Sequence, residues 1–336
     1  MHTNKDNLSK KILSWYDNNK RILPWRLKPE AKKKQYYRIL SEFMLQQTQV
    51  KTVIPYFKNF IKEKPNLKRL SNSSEKKVLK LWEGLGYYRR AKNLHKTAKI
   101  IVRKHNGNLP KEFDELKKLP GIGNYTANAL LALVYNQPHI PFDGNVKRVF
   151  FRLFKLSIEN SEKKVKKIIS KYFETNRNGD LAEALMEFGA LICKPINPLC
   201  NKCNLKKNCN FFKNKDLYSI AKVNNKVIKK YNIYCYLKRQ KREIALLNNK
   251  NLSFLKDYKI PNTRLRTNKK VKNNGWIYLC NYKNNISNVK MNVNLFYKFT
   301  KKKPKKYQWY SIEKPNNEFI PTFTKRIFKK VAKVYR

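Results

Sequence analysis

Apolar residues recur at helical spacing through most of the N-terminal part of the chain. In residues 8–19 and 35–47, apolar side chains return every three or four positions, which places them on one face of a helix. The same pattern predicts helices at 91–104, 145–155, 161–173 and 179–192, and short helices within 50–83. The sequence therefore predicts a mainly α-helical first domain.

The hydrophobic period changes after a polar, Lys-rich stretch at 210–230. Beyond it, short apolar runs rich in Tyr, Val and Ile are typical of strands. These runs are 231–237, 243–247, 276–280, 289–299 and 308–312, and a helix is expected over 322–334, after Pro321. We predict a helical domain at 1–212, a linker at 213–230 and a smaller α+β domain at 231–336.

The net charge of the chain indicates what kind of partner it binds. The 336 residues carry a formal net charge of +55, for which a polyanion is the natural partner. Only 16 of the 77 basic residues are Arg, and the abundance of Lys, Asn, Ile and Tyr indicates AT-rich coding that inflates surface Lys. The first twenty residues contain no apolar signal region, and no long apolar run occurs, so a cytoplasmic protein without disulfides is expected.

The most informative stretch runs from residue 119 to 148. It opens on Leu119-Pro120-Gly121-Ile122-Gly123, a Gly-rich turn before an apolar helix at 127–134. Two glycines let backbone N–H groups approach a phosphate, and a helix N-terminus favours negative charge. The stretch ends in Asp143-Gly144-Asn145, followed by Lys147 and Arg148. A bare Gly-x-Gly turn is often an ordinary loop, but the complete pattern predicts a phosphate clamp followed by a single carboxylate.

Four cysteines form a second motif, with the spacing C-x6-C-x2-C-x5-C. They are Cys193, Cys200, Cys203 and Cys209, in a 17-residue segment rich in Pro and Asn. Four thiolates this close together in a reducing compartment suit a tetrahedral zinc ion or a [4Fe–4S] cluster. Zinc sites more often pair two short Cys knuckles, and at this point zinc, a cluster and free cysteines all stay open.

Glu42 lies on the predicted helix 35–47, with Ile39 and Leu45 three residues to either side. Apolar flanks desolvate a carboxylate and raise its pKa, as a general acid near neutral pH requires. The alternative is a surface Glu paired with Arg38 one turn earlier.

These motifs together resemble the helix-hairpin-helix DNA glycosylases that include endonuclease III and the MutY family. Residues 119–148 resemble the hairpin and catalytic Asp of these enzymes. The segment from Ser41 to Gln49 (SEFMLQQTQ) is similar to the signature of the MutY family, and the cysteine spacing is that of the glycosylase iron–sulfur cluster. The likeness implies a two-lobed helix-hairpin-helix fold with a [4Fe–4S] loop at 193–209 and a Nudix-like C-terminal domain.

The resemblance also implies a function: a monofunctional adenine DNA glycosylase of base excision repair. Its DNA would contain adenine paired with 8-oxoguanine or guanine, and the protein would be a monomer near the bacterial nucleoid. Glu42 would protonate adenine, and Asp143 would stabilise the sugar cation or attack it. Gln47 and Tyr87 would wedge into the duplex and replace lost stacking.

Further site residues follow from the same resemblance. The catalytic set would include Tyr125 and Asn145, and the adenine pocket would include Arg26 and Glu187. For Glu187 the alternative is a solvated helix residue. DNA contacts would come from Gly121, Gly123, Lys147 and Arg148 in addition to the two wedge residues.

Position 125 separates two related classes of glycosylase. Endonuclease III-type lyases carry there a Lys that forms a Schiff base, whereas this chain has Tyr125 between Asn124 and Thr126. Strand cleavage by β-elimination is therefore not expected. The alternatives to the adenine glycosylase are an endonuclease III-like glycosylase and AP lyase, and a non-catalytic DNA-binding protein that keeps its cluster.

The C-terminal domain resembles the family's Nudix-like domain weakly, by order and length of its elements. The counterpart of the loop that touches 8-oxoguanine is Ile286-Ser287-Asn288, in which Ser287 alone matches. A Nudix hydrolase needs a Glu-dense metal-binding helix, and this region has only Glu243, Glu313 and Glu318. We therefore expect lesion recognition and no pyrophosphate hydrolysis.

Overall fold

The structure is a computed structural model. It describes residues 8–26, 31–155, 162–214, 228–250, 252, 254–266, 275–286, 289–302, 304–313 and 319–335. The chain divides into two compact units. The first comprises Met1–Ser73 and Arg90–Ala221, and the second comprises Ser74–Arg89 and Lys222–Arg336. The segment 74–89 thus groups with the C-terminal residues, whereas the predicted boundaries placed it in the helical domain.

Helices make up the first unit, where the described residues contain no strand. In chain order they are α1 (Leu8–Asn19), a 3-10 turn (Pro24–Arg26), α2 (Ala31–Leu45), α3 (Val50–Glu63), α4 (Leu67–Ser71), α6 (Arg89–Lys104), α7 (Phe113–Lys117), α8 (Asn124–Tyr135), α9 (Gly144–Phe154), α10 (Glu162–Tyr172), α11 (Asn178–Leu191) and α12 (Asn210–Lys213). Helix α5 (Glu75–Leu81) and Arg89, the first residue of α6, belong to the second unit.

The pattern of apolar residues explains how these helices pack. Helix α8 is apolar almost throughout because it is buried on several sides, and it contacts α2, α7 and α11. Helix α9 is amphipathic: Val146, Val149 and Phe150 enter a core shared with α1 and α11, while Lys147 is exposed. The hairpin and the C-terminal half of α2, which carry the candidate site, therefore rest on a rigid helical core.

The second unit contains a seven-stranded sheet. Its strands are β1 (Ile228–Lys238), β2 (Glu243–Asn248), β3 (Lys259–Ile260), β4 (Asn262–Leu265), β5 (Ile277–Ile286), β6 (Val289–Phe299) and β7 (Gln308–Ser311). The order is β3-β2-β1-β6-β5, with β4 paired to β1 and β7 to β2. Strands β1 and β6 are parallel, and β5 and β6 form an antiparallel hairpin.

A helix covers one face of this sheet. The inward residues Ile233, Cys235 and Leu295 are fully buried, and α13 (Thr322–Val331) adds Ile327 and Phe328 to the same core. Every second residue of β1 from Tyr231 to Leu237 enters this core, and Asn232 and Tyr234 on the other face of the strand are buried as well. The expected α+β architecture of this region is confirmed.

The predicted elements agree closely with the structure. The helices predicted at 145–155, 161–173 and 179–192 each lie within one residue of α9, α10 and α11. The helix predicted at 35–47 begins earlier, at Ala31, and ends at Leu45. Strands β3 and β4 were not predicted, since they are too short for a periodic signal. Across the described ranges, no helix is both long and apolar enough to cross a membrane.

Candidate active site

The Gly-rich turn connects α7 to α8; the sequence predicted the turn and the helix that follows it. Gly121 adopts φ +83°, and a Cβ there would lie 2.8 Å from Phe43 Cε1 and 2.9 Å from Asn93 Cβ. Both the backbone angle and the packing therefore require glycine. Gly123 is the N-cap of α8, is exposed and has open space around its Cα. It leaves the N-terminus of α8 accessible to an anion, whereas Gly121 serves the packing of the turn.

Asp143 begins the next helix, α9. One carboxylate oxygen accepts a hydrogen bond from the Val146 N–H at 2.7 Å, which caps the helix, and the other accepts from Asn145 Nδ2 at 2.9 Å. Burial raises the pKa of Asp143 above its ordinary value, and these two hydrogen bonds oppose the rise. The sequence Asp-Gly-Asn thus builds a fixed, partly desolvated carboxylate.

Glu42 has a different environment. The residue is only 4% exposed, and its Oε2 has no hydrogen-bond partner among the described residues. Burial raises the pKa of Glu42 to about 7, while the Tyr125 hydroxyl and the Arg38 charge lower it and the carboxylates of Asp143 and Glu183 raise it. A surface pair between Glu42 and Arg38 is wrong, because Glu42 is buried and Arg38 pairs with Glu183.

Both carboxylates, Glu42 and Asp143, act electrostatically on the Tyr125 hydroxyl. Burial raises its pKa far above the ordinary value, and Glu42 and Asp143 raise it further. Its hydroxyl donates to Met186 Sδ at 3.5 Å. The side chain therefore stays a neutral phenol at physiological pH, able to donate a hydrogen bond but unable to act as an amine nucleophile.

A buried ion-pair network lies on α11. Glu187 is 1% exposed, and its Oε1 lies 2.8 Å from Arg21 Nη2 and 2.9 Å from Arg26 Nη2. Glu183, one turn earlier, pairs with Arg26 Nε at 2.9 Å and with Arg38, and accepts from the Tyr16 hydroxyl. The alternative of a solvated Glu187 is wrong, because both carboxylates are paired inside the unit. Contact of Glu187 and Arg26 with adenine stays a prediction.

Glu183 was not among the site residues predicted from the sequence. Burial raises its pKa, but the guanidinium groups of Arg38 and Arg26 outweigh burial and hold the pKa below its usual range. The available signal was its position one turn before Glu187, which puts both on one face of α11.

Arg148 connects α9 with the cysteine segment. Its Nη2 donates to Asn145 Oδ1 at 2.8 Å and to the Gly189 carbonyl at 2.7 Å. Its Nε donates to the Cys193 carbonyl at 2.7 Å. Asn145 in turn donates to Asp143, so the guanidinium fixes the amide that holds the carboxylate. Arg148 was predicted to contact DNA, but these internal hydrogen bonds use most of the N–H donors of its guanidinium.

The two predicted wedge residues share an unusual backbone conformation. Gln47 has φ +56° and Tyr87 has φ +49°, both in the left-handed region that side chains other than Gly rarely adopt. Gln47 is exposed, at the turn after α2. Arg90, 8% exposed, donates Nη1 to the Phe43 and Met44 carbonyls at 3.0 and 2.7 Å and Nη2 to Thr48 Oγ1 at 3.0 Å. The turn that presents Gln47 is therefore braced from inside.

The four cysteines surround one cavity, which Arg152, Phe211 and Phe212 also line. Arg152 Nη1 donates to Cys193 Sγ at 3.5 Å, and the Cys209 thiol contacts the Arg152 carbonyl at 3.4 Å. Within the described part of the chain, no three Cys, His or carboxylate side chains converge closely enough for one metal ion. A four-iron cluster instead places each thiolate on a separate iron, and such a group needs a cavity between the cysteines.

One predicted residue cannot be placed. Ser287 lies outside the described residues, although the flanking Ile286 and Val289 close the hairpin of β5 and β6. Lys147 is exposed on α9, as a phosphate contact requires.

Comparison with known proteins identifies the class. Residues 40–175 match the model of the HhH-GPD superfamily of base excision DNA repair proteins. A solved thermostable thymine-DNA glycosylase is 25% identical, with a TM-score of 0.55, over 61% of this chain and 95% of its own. A solved endonuclease III from a DNA complex is 21% identical, with a TM-score of 0.53, over 63% and 96%. The fold is that of a helix-hairpin-helix DNA glycosylase, a class of hydrolases.

The family is more specific than the class. An adenine DNA glycosylase of Buchnera aphidicola subsp. Baizongia pistaciae is 36% identical over 96% of both chains. The human adenine DNA glycosylase is 38% identical over 59% of this chain and 38% of its own. The chain belongs to the adenine DNA glycosylase family, which confirms the resemblance drawn from its motifs.

Proposed function

We propose that this protein is a monofunctional adenine DNA glycosylase of base excision repair. It removes adenine paired with 8-oxoguanine or guanine by hydrolysing the N-glycosidic bond. The observation that carries this proposal is the contrast between two carboxylates: Glu42 is buried with a pKa of about 7, and Asp143 is held by two hydrogen bonds. A buried carboxyl with a pKa near neutrality and a carboxylate held by two hydrogen bonds supply an acid and an electrostatic stabiliser in one site.

The proton moves from Glu42 to a ring nitrogen of the extruded adenine. Protonation turns adenine into a neutral leaving group, and the sugar left behind carries positive charge. Asp143 faces that charge as a fixed carboxylate and stabilises it, or closes on it covalently until water attacks. Glu42, which is now deprotonated, then accepts a proton from that water. The Tyr125 hydroxyl interacts with both carboxylates. Asn145 keeps Asp143 aligned through its hydrogen bond.

Tyr125 supports hydrolysis over lyase chemistry. A lyase needs a nucleophilic amine next to the sugar, and residues 124–126 offer an amide, a phenol and a hydroxyl. The non-catalytic alternative is less well supported, because an inactive binding protein would gain nothing from a buried carboxylate with one unpartnered oxygen, which destabilises the fold.

The cysteine cavity suits a [4Fe–4S] cluster, held by Cys193, Cys200, Cys203 and Cys209. When bound, the cluster would supply four metal–thiolate bonds that fold a segment with little apolar content of its own. Arg152 and Arg148 tie this segment to α9, so its order bears on the position of Asp143.

The partner is double-stranded DNA that contains the mispair. The N-terminus of α8 at Gly123 and the exposed Lys147 would contact phosphates, and Gln47 and Tyr87 would fill the space left by the extruded adenine. We expect the protein to act as a monomer in the bacterial cytoplasm, associated with the nucleoid.

One experiment tests both the class and the mechanism. The protein is incubated with a duplex containing adenine opposite 8-oxoguanine, and the products are resolved with and without alkali, with Glu42→Gln as the inactive control. Strand breaks that require alkali are expected, since hydrolysis leaves an intact abasic site. Breaks without alkali, or an enzyme–DNA adduct trapped by borohydride, would indicate a lyase. Tight binding without any base release would indicate the non-catalytic protein.

A further inference from the structure

The turn that carries Tyr87 has a strained backbone. Gly84, Gly86 and Tyr87 all have positive φ, of 102°, 77° and 49°. The two glycines adopt these angles freely, but a tyrosine rarely does so, because its Cβ makes this conformation strained. Trp82, fully buried, donates its indole N–H to the Gly86 carbonyl at 3.1 Å and stabilises the first half of the turn. The second half of the turn is supported by residues of the C-terminal helix.

Tyr88 provides that support through α13. Its side chain is 4% exposed, and its hydroxyl forms a hydrogen bond of 3.1 Å with Thr322 Oγ1. The hydroxyl also accepts from the Thr322 N–H at 3.3 Å, one of the N–H groups that a helix leaves unpaired at its start. The ring packs edge-on against Phe319 at 4.6 Å and lies 5.5 Å from Tyr258.

A second contact fixes the other side of the turn. Lys325 Nζ lies 2.7 Å from Glu83 Oε1, and Lys80 pairs with the other oxygen at 3.1 Å. Thr322 and Lys325 are three residues apart, on one face of α13. A single helical turn therefore holds residues 83 and 88, which bracket Tyr87.

We propose that Tyr88 is a positioning residue for the Tyr87 wedge. By anchoring to Thr322 and Phe319, Tyr88 keeps Tyr87 in its left-handed conformation before DNA arrives, so that adenine extrusion does not have to order the turn. The inference rests on the proposed function, because it takes Tyr87 as the residue that replaces the extruded base.

The test measures base extrusion directly. In the full-length protein, Tyr88→Phe removes the hydroxyl and keeps the ring. The target adenine is replaced by 2-aminopurine opposite 8-oxoguanine, whose fluorescence rises when the base leaves the stack. Loss of the hydroxyl's hydrogen bonds should lower the extrusion equilibrium by about two- to tenfold. Tyr335→Phe is the matched control, because that hydroxyl bonds the Lys238 and Glu243 carbonyls in the same unit and no residue of 74–89. It should leave extrusion within about twofold of the wild type.

A double-mutant cycle separates positioning from general stability. If Tyr88 acts through Tyr87, Tyr88→Phe should have little further effect in a Tyr87→Ala background, since the wedge is already absent. Equal effects of Tyr88→Phe in both backgrounds would overturn the proposal, as would wild-type extrusion in Tyr88→Phe.

The remaining outcomes are a variant that does not fold and a wild-type protein that is inactive. Should Tyr88→Phe fail to fold, Thr322→Val removes the same hydroxyl contact from the helix side, and the cycle with Tyr87→Ala decides the proposal in its place. A wild-type protein that neither extrudes 2-aminopurine nor excises adenine overturns the proposed function and this inference together. Normal wild-type excision with an additive cycle overturns the positioning role alone.

Discussion

Glu42 and Asp143 differ in the hydrogen bonds that their environments offer. Asp143 receives two donors, from Val146 and Asn145, which stabilise its charged form. Glu42 is buried with one oxygen unpartnered, which favours its neutral form. The proposed division into a proton donor and a charge stabiliser therefore rests on local structure, since the two side chains differ by one methylene.

The first prediction concerns the pH dependence of excision. Glu42 must be protonated to act, and its pKa is about 7. The single-turnover rate of adenine release should therefore be flat below neutral pH and fall by about tenfold per pH unit above it. Glu42→Gln should abolish release at every pH while mispair binding survives, because the change removes a proton donor and little volume. A wild-type rate that stays constant through the alkaline range would assign the acid to another group.

The second prediction concerns stability. The folded-state pKa of Glu42, about 7, exceeds the ordinary value of 4.5, so the contribution of this carboxyl is fully present below pH 4.5 and is lost as the pH rises through 7. The loss amounts to roughly 3 kcal/mol. Glu42→Gln, which cannot ionise, should unfold at a higher temperature than the wild type in alkaline buffer and at a similar one in acid. A stability difference that is independent of pH would contradict this.

At the scale of elements, α9 combines two roles on opposite faces. Arg148 bonds Asn145 and the Cys193 carbonyl, whereas Lys147 next to it is exposed. Arg148 thus bonds groups inside the protein, whereas the neighbouring Lys147 lies on the exposed face of the helix. The alternation of inward and outward positions around a helix separates them.

The third prediction uses this difference. Lys147→Ala should reduce the slope of log affinity against log salt by about 1, because one phosphate contact is lost. Arg148→Ala should change that slope little. It should instead lower the excision rate and the unfolding temperature, since Asn145 loses the group that fixes it. Equal salt slopes for Lys147→Ala and the wild type would remove Lys147 from the DNA contacts.

The fourth prediction concerns the cysteine segment. Purified protein should contain about four irons per chain and show the broad visible absorbance of an iron–sulfur cluster. Cys200→Ser should lower the iron content and soluble yield, while Cys280→Ser, in the C-terminal sheet, serves as the control. Stoichiometric zinc and no iron in protein purified without oxygen would contradict the assignment.

Local elements were largely predictable from the sequence, and long-range contacts were not. The bounds of α9 and β6 follow from periodicity and from signals such as Asp-Gly-Asn before the helix. Arg90 bonds backbone carbonyls of residues more than forty positions away, and carbonyls carry no sequence signature. The grouping of 74–89 with α13 depends likewise on Tyr88 and Thr322, which are 234 residues apart.

At the scale of the whole molecule, charge sets how the protein meets DNA. A net charge of +55 attracts a polyanion along much of the surface without reading its sequence. Specificity has to come from a few sites, and the Glu42–Asp143 pair can recognise only the adenine. The opposite base requires a different part of the chain, and the hairpin of β5 and β6 carries the predicted contact Ser287.

The last prediction separates two contributions of the C-terminal residues. Removing 231–336 takes away Ser287 and also α13, the anchor of Tyr88. The shortened protein keeps Glu42, Asp143 and the hairpin, so it should still excise adenine, but more slowly opposite either base because the wedge is unsupported. Its preference for 8-oxoguanine over guanine should shrink by roughly ten- to a hundredfold, the value of one or two hydrogen bonds to a base edge.

Two full-length variants resolve these contributions in single-turnover assays with both mispairs. Ser287→Ala should reduce the preference by less than the truncation does and leave excision opposite guanine unchanged. Tyr88→Phe should slow excision opposite both bases by the same factor and leave the preference intact, because the extruded base is adenine in both mispairs. If the shortened protein folds, binds its cluster and discriminates as well as the full chain, lesion recognition lies within residues 1–230, and the role assigned to Ser287 is wrong.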